Sequence, residues 1–480
     1  MKFLYYDILF LIISVIAVAI FLYRHKKKLQ IESKILLLYR TQWGIKLIDR
    51  ISKKFPRTIK VFSYISIFFG YILMAGGIYL IWISLILIIN AVALPKIPPL
   101  FPLIPYLPDL FKISFLPPFY FTYWIITIGI VAIVHEFAHG IFARADKIRL
   151  KSTGFGFLGP FLAAFVEIDE KQMAKKSVKT QLSILAGGSF SNLILAVLFM
   201  LILNLFFVSF YSPAGMGFNT YTLGIVNIST ISAINNIGIS NADYQKISLA
   251  YSQLNLTNKT QDLKIISDEK KYFIDANSFE LQMKSKQGMI VAYEDTPAYT
   301  NKIAGAITEL TFKETTFKIK NQADLSSALS TIHPGDEIFL KTTNANYSLT
   351  LAADPTNSSK PYLGVGIMIS KSKLAWLADF LFLNKKDPSV YYAPTAKGDF
   401  WAGLTIFISN LLFWIVIINV SVMLVNMLPF GIFDGGRFFY LTILGLTKST
   451  KKAEKWFKVA NFIIFMILML MMVVWFYKIL

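Results

Sequence analysis

The chain has 480 residues, of which 55% are hydrophobic and only 16% charged, and its mean hydropathy is +0.55. That is too apolar for a soluble protein of this length and far too apolar for a disordered one. The formal net charge of +20 is concentrated in short loops between apolar runs, the pattern of a membrane protein rather than of a nucleic-acid footprint, so no nucleic-acid partner is expected.

About 20 apolar residues are needed to cross a bilayer as a helix. Six runs meet that requirement: 4–23, 61–94, 119–142, 181–208, 401–425 and 457–478. The first has one lysine before it, a basic cluster behind it and no small-residue cleavage site. It is expected to be an anchor with its N-terminus outside, not a cleaved signal peptide. Residues 24–60 carry twelve Lys and Arg and are expected on the cytoplasmic side. The run 61–94 is long and contains Gly76-Gly77. Taking it as a single span puts every basic loop on one side, so one span is expected. Residues 95–118 carry only Lys96 and Lys112, whereas 143–180 and 448–458 are basic again.

The third run holds His135-Glu136-Phe137-Ala138-His139. Ionisable groups at membrane depth are costly and rare, which makes them functional candidates. Imidazoles at i and i+4 project from one helical face and can share a metal, and Glu136 can act on a bound water. With no cysteine in the chain, any metal must be held by His and carboxylate. A catalytic zinc usually has three protein ligands and one open position. His25 lies in the first basic loop and His333 beyond the opposite face. Gly154-Phe155-Gly156-Phe157-Leu158-Gly159 matches a dinucleotide-binding pattern, but Pro160 follows at once and no βαβ unit surrounds it. A nucleotide site is not expected there.

Between 209 and 400 the long apolar runs stop and short β-like segments appear, such as 288–293 and 337–341. The charge pattern puts this block outside. Sequons at Asn227, Asn255, Asn258, Asn346 and Asn357 are compatible with that side. Residues 373–383 are apolar but too short to cross, and are expected at the outer interface. The fifth run then leads into Asn426-Met427-Leu428-Pro429, followed by Asp434-Gly435-Gly436-Arg437. Asp434 is the obvious carboxylate in apolar surroundings and arrives at a depth similar to His135. It is the candidate third ligand, with capping of the segment after it as the alternative.

Together these residues resemble the site-2 protease family of intramembrane zinc metalloproteases. His135-Glu136-Phe137-Ala138-His139 fits its H-E-x-x-H, Asn426 to Pro429 with Asp434-Gly435 its N-x-x-P and D-G motif, and Gly188-Ser189-Phe190-Ser191-Asn192 its G-x-x-x-N. Residues 164–170 look like the stretch between those helices in archaeal-type members. Residues 288–370 look like the PDZ-like module that many members carry, although Ile303-Ala304-Gly305-Ala306-Ile307 departs from the usual Gly-Asp pattern. Residues 227–287 are extra, an insertion or a degenerate second module.

The resemblance implies a polytopic α-helical membrane protein of about six transmembrane helices with a mostly-β extracytoplasmic PDZ-like domain. It divides the chain into an anchor and basic loop (1–60), a second span and outer loop (61–118), a first part of the catalytic membrane core (119–208), the outer domain (209–400), a second part of the core (401–447) and a last span (448–480). It implies that His135, His139 and Asp434 bind Zn²⁺ and that Glu136 is the catalytic base. Asn192 and Asn426 would donate to the oxyanion or to substrate backbone, with an interhelical structural role as the alternative for each. The expected partners are the lipid bilayer, single-span membrane protein substrates and peptides bound by the outer domain. The competing reading is a catalytically silent metal-binding membrane scaffold that binds peptides through its outer domain.

Overall fold

The computed structural model describes residues 2–32, 36–90, 104–111, 116–158, 161–254, 256, 261–367, 387 and 389–479. The apolar segment 373–383, the sequons Asn255 and Asn258, and Gly159 and Pro160 lie outside the described residues. The chain divides into two compact units, one of residues 1–206 and 403–480, the other of residues 207–402.

The first unit opens with α1 (Lys2–His25), apolar on all sides. The stretch 24–60 is not a plain loop. It forms a hairpin of β1 (Leu29–Glu32) and β2 (Leu36–Thr41), then the amphipathic α2 (Trp43–Lys54), which buries Gly44, Ile48 and Ser52 along one stripe. Next, α3 (Pro56–Asn90) is one continuous helix of 35 residues. Its Gly76-Gly77 pair does not break it. A Cβ on Gly77 would already lie 3.0 Å from the Leu424 carbonyl and from Leu428, so the pair serves close helix approach. The short α4 (Leu107–Leu110) precedes α5 (Phe121–Ala145), the helix of the H-E-x-x-H run.

Helix α5 is capped from another segment. Asp7 of α1 is 1% exposed. Its carboxylate accepts from Phe121 N (2.8 Å), Thr122 N (2.9 Å), Thr122 Oγ1 (2.5 Å) and the Tyr106 hydroxyl (2.6 Å). First-turn amides have no partner within their own helix, and a negative charge there also meets the favourable end of the dipole. At the other end, Arg144 donates Nε to Asp49 Oδ1 (2.5 Å) and Nη2 to Oδ2 (3.1 Å). That fork holds the Asp49 carboxyl below its ordinary value.

After α5 the chain turns into β3 (Leu150–Leu158) and β4 (Phe161–Ile168). Together with the N-terminal hairpin they make a four-stranded antiparallel sheet, order β1-β2-β3-β4, with β4 at an edge. Asp169 caps α6 (Glu170–Ala174), and α7 (Val178–Phe210) follows. Ile48, Phe142, Ile148, Leu150, Val166 and Ile184 share one core cluster, which ties this sheet to α5 and α7.

The second unit contains β5 (Tyr211–Met216), β6 (Thr220–Tyr221), β7 (Leu223–Asn227), β8 (Ile231–Ile234), β9 (Ile237–Gly238), α8 (Tyr244–Gln253), β10 (Asp262–Ser267), β11 (Lys270–Asp275), α9 (Ala276–Ser285) and β12 (Met289–Glu294). Then come α10 (Pro297–Thr300), β13 (Ile307–Phe312), β14 (Thr315–Lys318), α11 (Gln322–Leu329), β15 (Glu337–Thr342), β16 (Asn346–Thr350), β17 (Ala352–Asp354), β18 (Asn357–Tyr362), β19 (Val365–Gly366) and β20 (Val390–Pro394). A sheet ordered β7-β12-β11-β10-β8-β9 and another ordered β16-β15-β13-β5-β20, with β14 on β13, dominate it.

The two sheets repeat one arrangement. The hairpin β8–β9, helix α8 and hairpin β10–β11, with β10 against β8, correspond to β13–β14, α11 and β15–β16, with β15 against β13. Each helix starts on a side-chain cap, Asp243 or Asn321. Each repeat has its own core, around Ile234, Ile247 and Leu263 in one and Leu310, Leu325 and Leu340 in the other. Residues 227–287 are therefore most of a second module and not a bare insertion. Strand β12, expected to open a module at 288, pairs with β7 and β11 in the other sheet. Its buried Ile290 and Ala292 alternate with exposed neighbours, and alternation names a buried face without naming the sheet.

The chain re-enters the first unit through α12 (Asp399–Asn426), α13 (Asp434–Thr447) and α14 (Thr450–Ile479). Trp414 packs at a tilt of 33° against Phe119 with centroids 4.0 Å apart and donates Nε1 to the Pro118 carbonyl (3.1 Å). Among the described residues, α1, α3, α5, α7, α12 and α14 are long and apolar enough to cross a membrane. Replacing Asp7 by Ala leaves two amides and two hydroxyls without their acceptor. We expect a loss of about 3 kcal/mol in reversible detergent unfolding, with Asp7→Asn recovering part of it.

Candidate metal centre

Within α5, His135 and His139 are 6% and 7% exposed. Their Nε2 atoms lie 3.1 Å apart. Asp434 Oδ2 is 3.2 Å from the first and 3.1 Å from the second. Three donor atoms in a triangle of this size are nearly the face of a tetrahedron. Metal bonds of about 2.0–2.1 Å give edges of about 3.3 Å. The donor set, two imidazoles and a carboxylate, suits a divalent ion such as zinc, and the residues present fit one.

The far nitrogens fix the direction of each ring. His139 Nδ1 donates to the Ile184 carbonyl at 2.7 Å. The Asn192 side-chain amide lies 3.0 Å from His135 Nδ1. With Nε2 directed to a metal, Nδ1 carries the proton, so the amide presents Oδ1 to it. That orientation also gives a partner to an oxygen otherwise lacking one. Asn192 is 0% exposed and sits behind the ring. This placement, against the far nitrogen of His135, is that of a group that orients the ring. Asn426 differs. It is half-buried and its Nδ2 lies 3.4 Å from His135 Nε2, beside the donor triangle.

The rings need the backbone of α7 close by. A Cβ on Gly188 would overlap His139 Nε2 and crowd His135. Asp434 reaches the site because Pro429 ends the helical run and a tight turn follows, with Phe430 N bonded to Leu428 O and Phe433 N to Phe430 O. A Cβ on Gly435 would collide with the Met427 and Leu428 carbonyls. Asp434 is the first residue of α13, whose N-cap is Phe433 with no side-chain cap bond. Its carboxylate faces the imidazoles, so the capping alternative does not apply.

Glu136 turns to β4, where the Val166 amide donates to its Oε2 at 3.0 Å. A cavity of about 560 Å³ touches Glu136, His139, Val166 and Asp434, with Glu170 and Arg437 joined across it at 3.2 Å. His25 is elsewhere, its Nδ1 donating to the Phe21 carbonyl, and His333 is exposed in the second unit. The Val166 amide and the Ile184 carbonyl were not foreseeable from sequence, because backbone groups carry no residue signature.

A family model described as peptidase family M50 matches residues 123–354 and 390–471. A protein of Methanocaldococcus jannaschii described as uncharacterized is 44% identical over 73 residues, which are 15% of this chain and 20% of that protein. The chain thus spans about a fifth of the length of that relative.

Four variants test the metal centre. Asn192→Ala should weaken metal affinity by about 10–100-fold, and Gly188→Ala should reduce the metal content of purified protein to near zero, both read by competition with a chelator. Asp434→Asn should also lose metal, while Asp169→Asn, at the α6 cap, should hold it like the parent chain.

Proposed function

The chain belongs to peptidase family M50, and on that premise we propose that this multi-pass membrane protein is a zinc-dependent intramembrane protease cutting membrane-anchored, single-span substrates. The observation that carries the reading is the convergence of His135, His139 and Asp434 beside Glu136. His135, His139 and Asp434 would hold the zinc ion, which would supply Lewis acidity at this site.

The remaining chemistry belongs to the chain. Glu136 accepts the proton of the attacking water and returns it to the leaving amine nitrogen. The Val166 bond holds its carboxylate in place before substrate arrives. Asn426 donates to the oxygen that becomes negative as the carbonyl is attacked. A helical substrate has its amides internally bonded and must unwind first. The edge of β4 away from β3, up to Glu167, accepts the unwound segment as an added strand through backbone groups other than the Val166 amide.

We place residues 24–60 and 143–180 on the cytoplasmic side and residues 209–400 outside, from the distribution of Lys and Arg. The outer unit is proposed as a pair of PDZ-like modules that bind peptides and govern which substrates enter. Glu136 separates this reading from a silent metal-binding scaffold, since a structural metal has no use for a carboxylate beside its first ligand.

Glu136→Gln should keep its metal and lose hydrolysis of a single-span substrate by at least about a hundredfold. Near-parental cutting by a metal-loaded variant would assign the base elsewhere. Replacing residues 217–389 by a flexible linker should spare metal content and cutting of a short, easily unwound substrate while altering selectivity among larger ones. A folded, metal-loaded deletion inactive on every substrate would contradict the access role.

A further inference from the structure

We propose that the protein carries a binding site for a phosphodiester lipid headgroup, separate from the metal centre, where the ends of α3, α5 and α7 meet. A cavity of about 340 Å³ lies there. Lys60 and Ser63 of α3 and Lys179 and Thr180 of α7 form its polar wall, and Ile67 and Phe142 line its apolar part. A lipid presents the same division, a charged ester beside a glycerol and its first methylenes.

The charges of the cavity suit a phosphate. The Lys179 ammonium rests 4.0 Å from the centroid of the Tyr64 ring, and a cation–π contact leaves its hydrogens available to an anion. Helix α7, 33 residues long, begins at the cavity with Ser177 Oγ accepting from Thr180 N at 3.2 Å. The positive end of its dipole adds to the two lysines. Among the described residues, Asp146 is the acid that lines the cavity. Burial pushes its carboxyl up from the ordinary value, opposed by Lys176 and Lys60, so base outweighs acid around the space.

Position points to a lipid as the source. Three candidate spans end here, at Pro56, Ala145 and Val178, the level at which a bilayer carries its phosphates. Lys53, Lys54, Arg57, Lys175 and Lys176 lie within a few residues of the lining positions in sequence, and a basic stretch at a membrane surface raises the local concentration of anionic lipid. A soluble phosphate offers the same charge but makes no use of the apolar part of the cavity at the half-buried Ile67. The proposal rests on the membrane-spanning helices and not on protease activity.

The test uses the full chain in detergent. Phosphatidylglycerol, diacylglycerol and inorganic phosphate are titrated separately, with bound lipid counted by native mass spectrometry and Tm followed in parallel. We expect saturable binding of about one phosphatidylglycerol per chain, through the phosphate field of a single site, and a raised Tm. Diacylglycerol and inorganic phosphate should do neither at the same concentrations. Lys60→Gln with Lys179→Gln should weaken binding by roughly thirtyfold, the combined effect of two surface lysines, while Lys451→Gln with Lys452→Gln at the start of α14 should leave it unchanged. Equal loss in both double variants would reduce the site to diffuse attraction and overturn the proposal. So would equal binding of diacylglycerol, or a Tm shift by inorganic phosphate that needs Lys60 and Lys179. If the glutamine pair lowers Tm in lipid-free detergent, Lys60→Arg with Lys179→Arg decides: retained binding supports the site and lost binding overturns it.

Discussion

Three electron-pair donors held within about 3.2 Å of one another repel unless a proton or a metal cation lies among them. The rest of the first unit is arranged around that constraint. His135 and His139 share a helix, so their spacing is set by the helix itself. Asp434 comes from nearly three hundred residues further along the chain, and bringing it in requires the Pro429 turn and the contact of Gly435 with the Met427 carbonyl. Gly188 then lets α7 close on the imidazoles, while the Ile184 carbonyl and the Asn192 amide hold the rings from behind. Each contact is individually modest. Their combined effect is that three segments have one way to meet.

The four-stranded sheet joins this centre to the N-terminal part of the chain. Arg40 of β2 is ion-paired with Glu167 of β4 and donates to Ser152 of β3 at 3.1 Å. Ser152 in turn donates to Glu167 at 2.7 Å. Glu167 follows Val166, whose amide holds Glu136. The hairpin after α1 therefore stiffens the strand that carries this backbone donor. Among the described residues no further strand pairs with the other edge of β4, where the Val166 amide already serves Glu136, and an edge without a strand is a template for another extended segment.

In the second unit, two copies of a hairpin–helix–hairpin arrangement have separate cores. Their sequences share little beyond the order of elements and a capping Asp or Asn before each helix. That is enough to build the same topology twice, because register is set by burial of alternate residues and not by residue identity.

The amino-acid sequence by itself determined the six apolar spans, the pairing of His135 with His139 and the candidacy of Asp434, because length, hydropathy and helical spacing are local properties. It also marked 209–400 as a stretch of different composition, without the long apolar runs. The tertiary structure alone decided four further things: that Asn192 faces His135 from behind, that Val166 lends its amide to Glu136, that the basic stretch after α1 supplies two strands and an amphipathic helix, and that β12 belongs to the sheet of the first repeat. Each depends on which distant backbone lies alongside. A buried amide looks the same in sequence whether it meets an imidazole or an oxyanion, and an alternating strand fits either of two sheets until packing chooses between them.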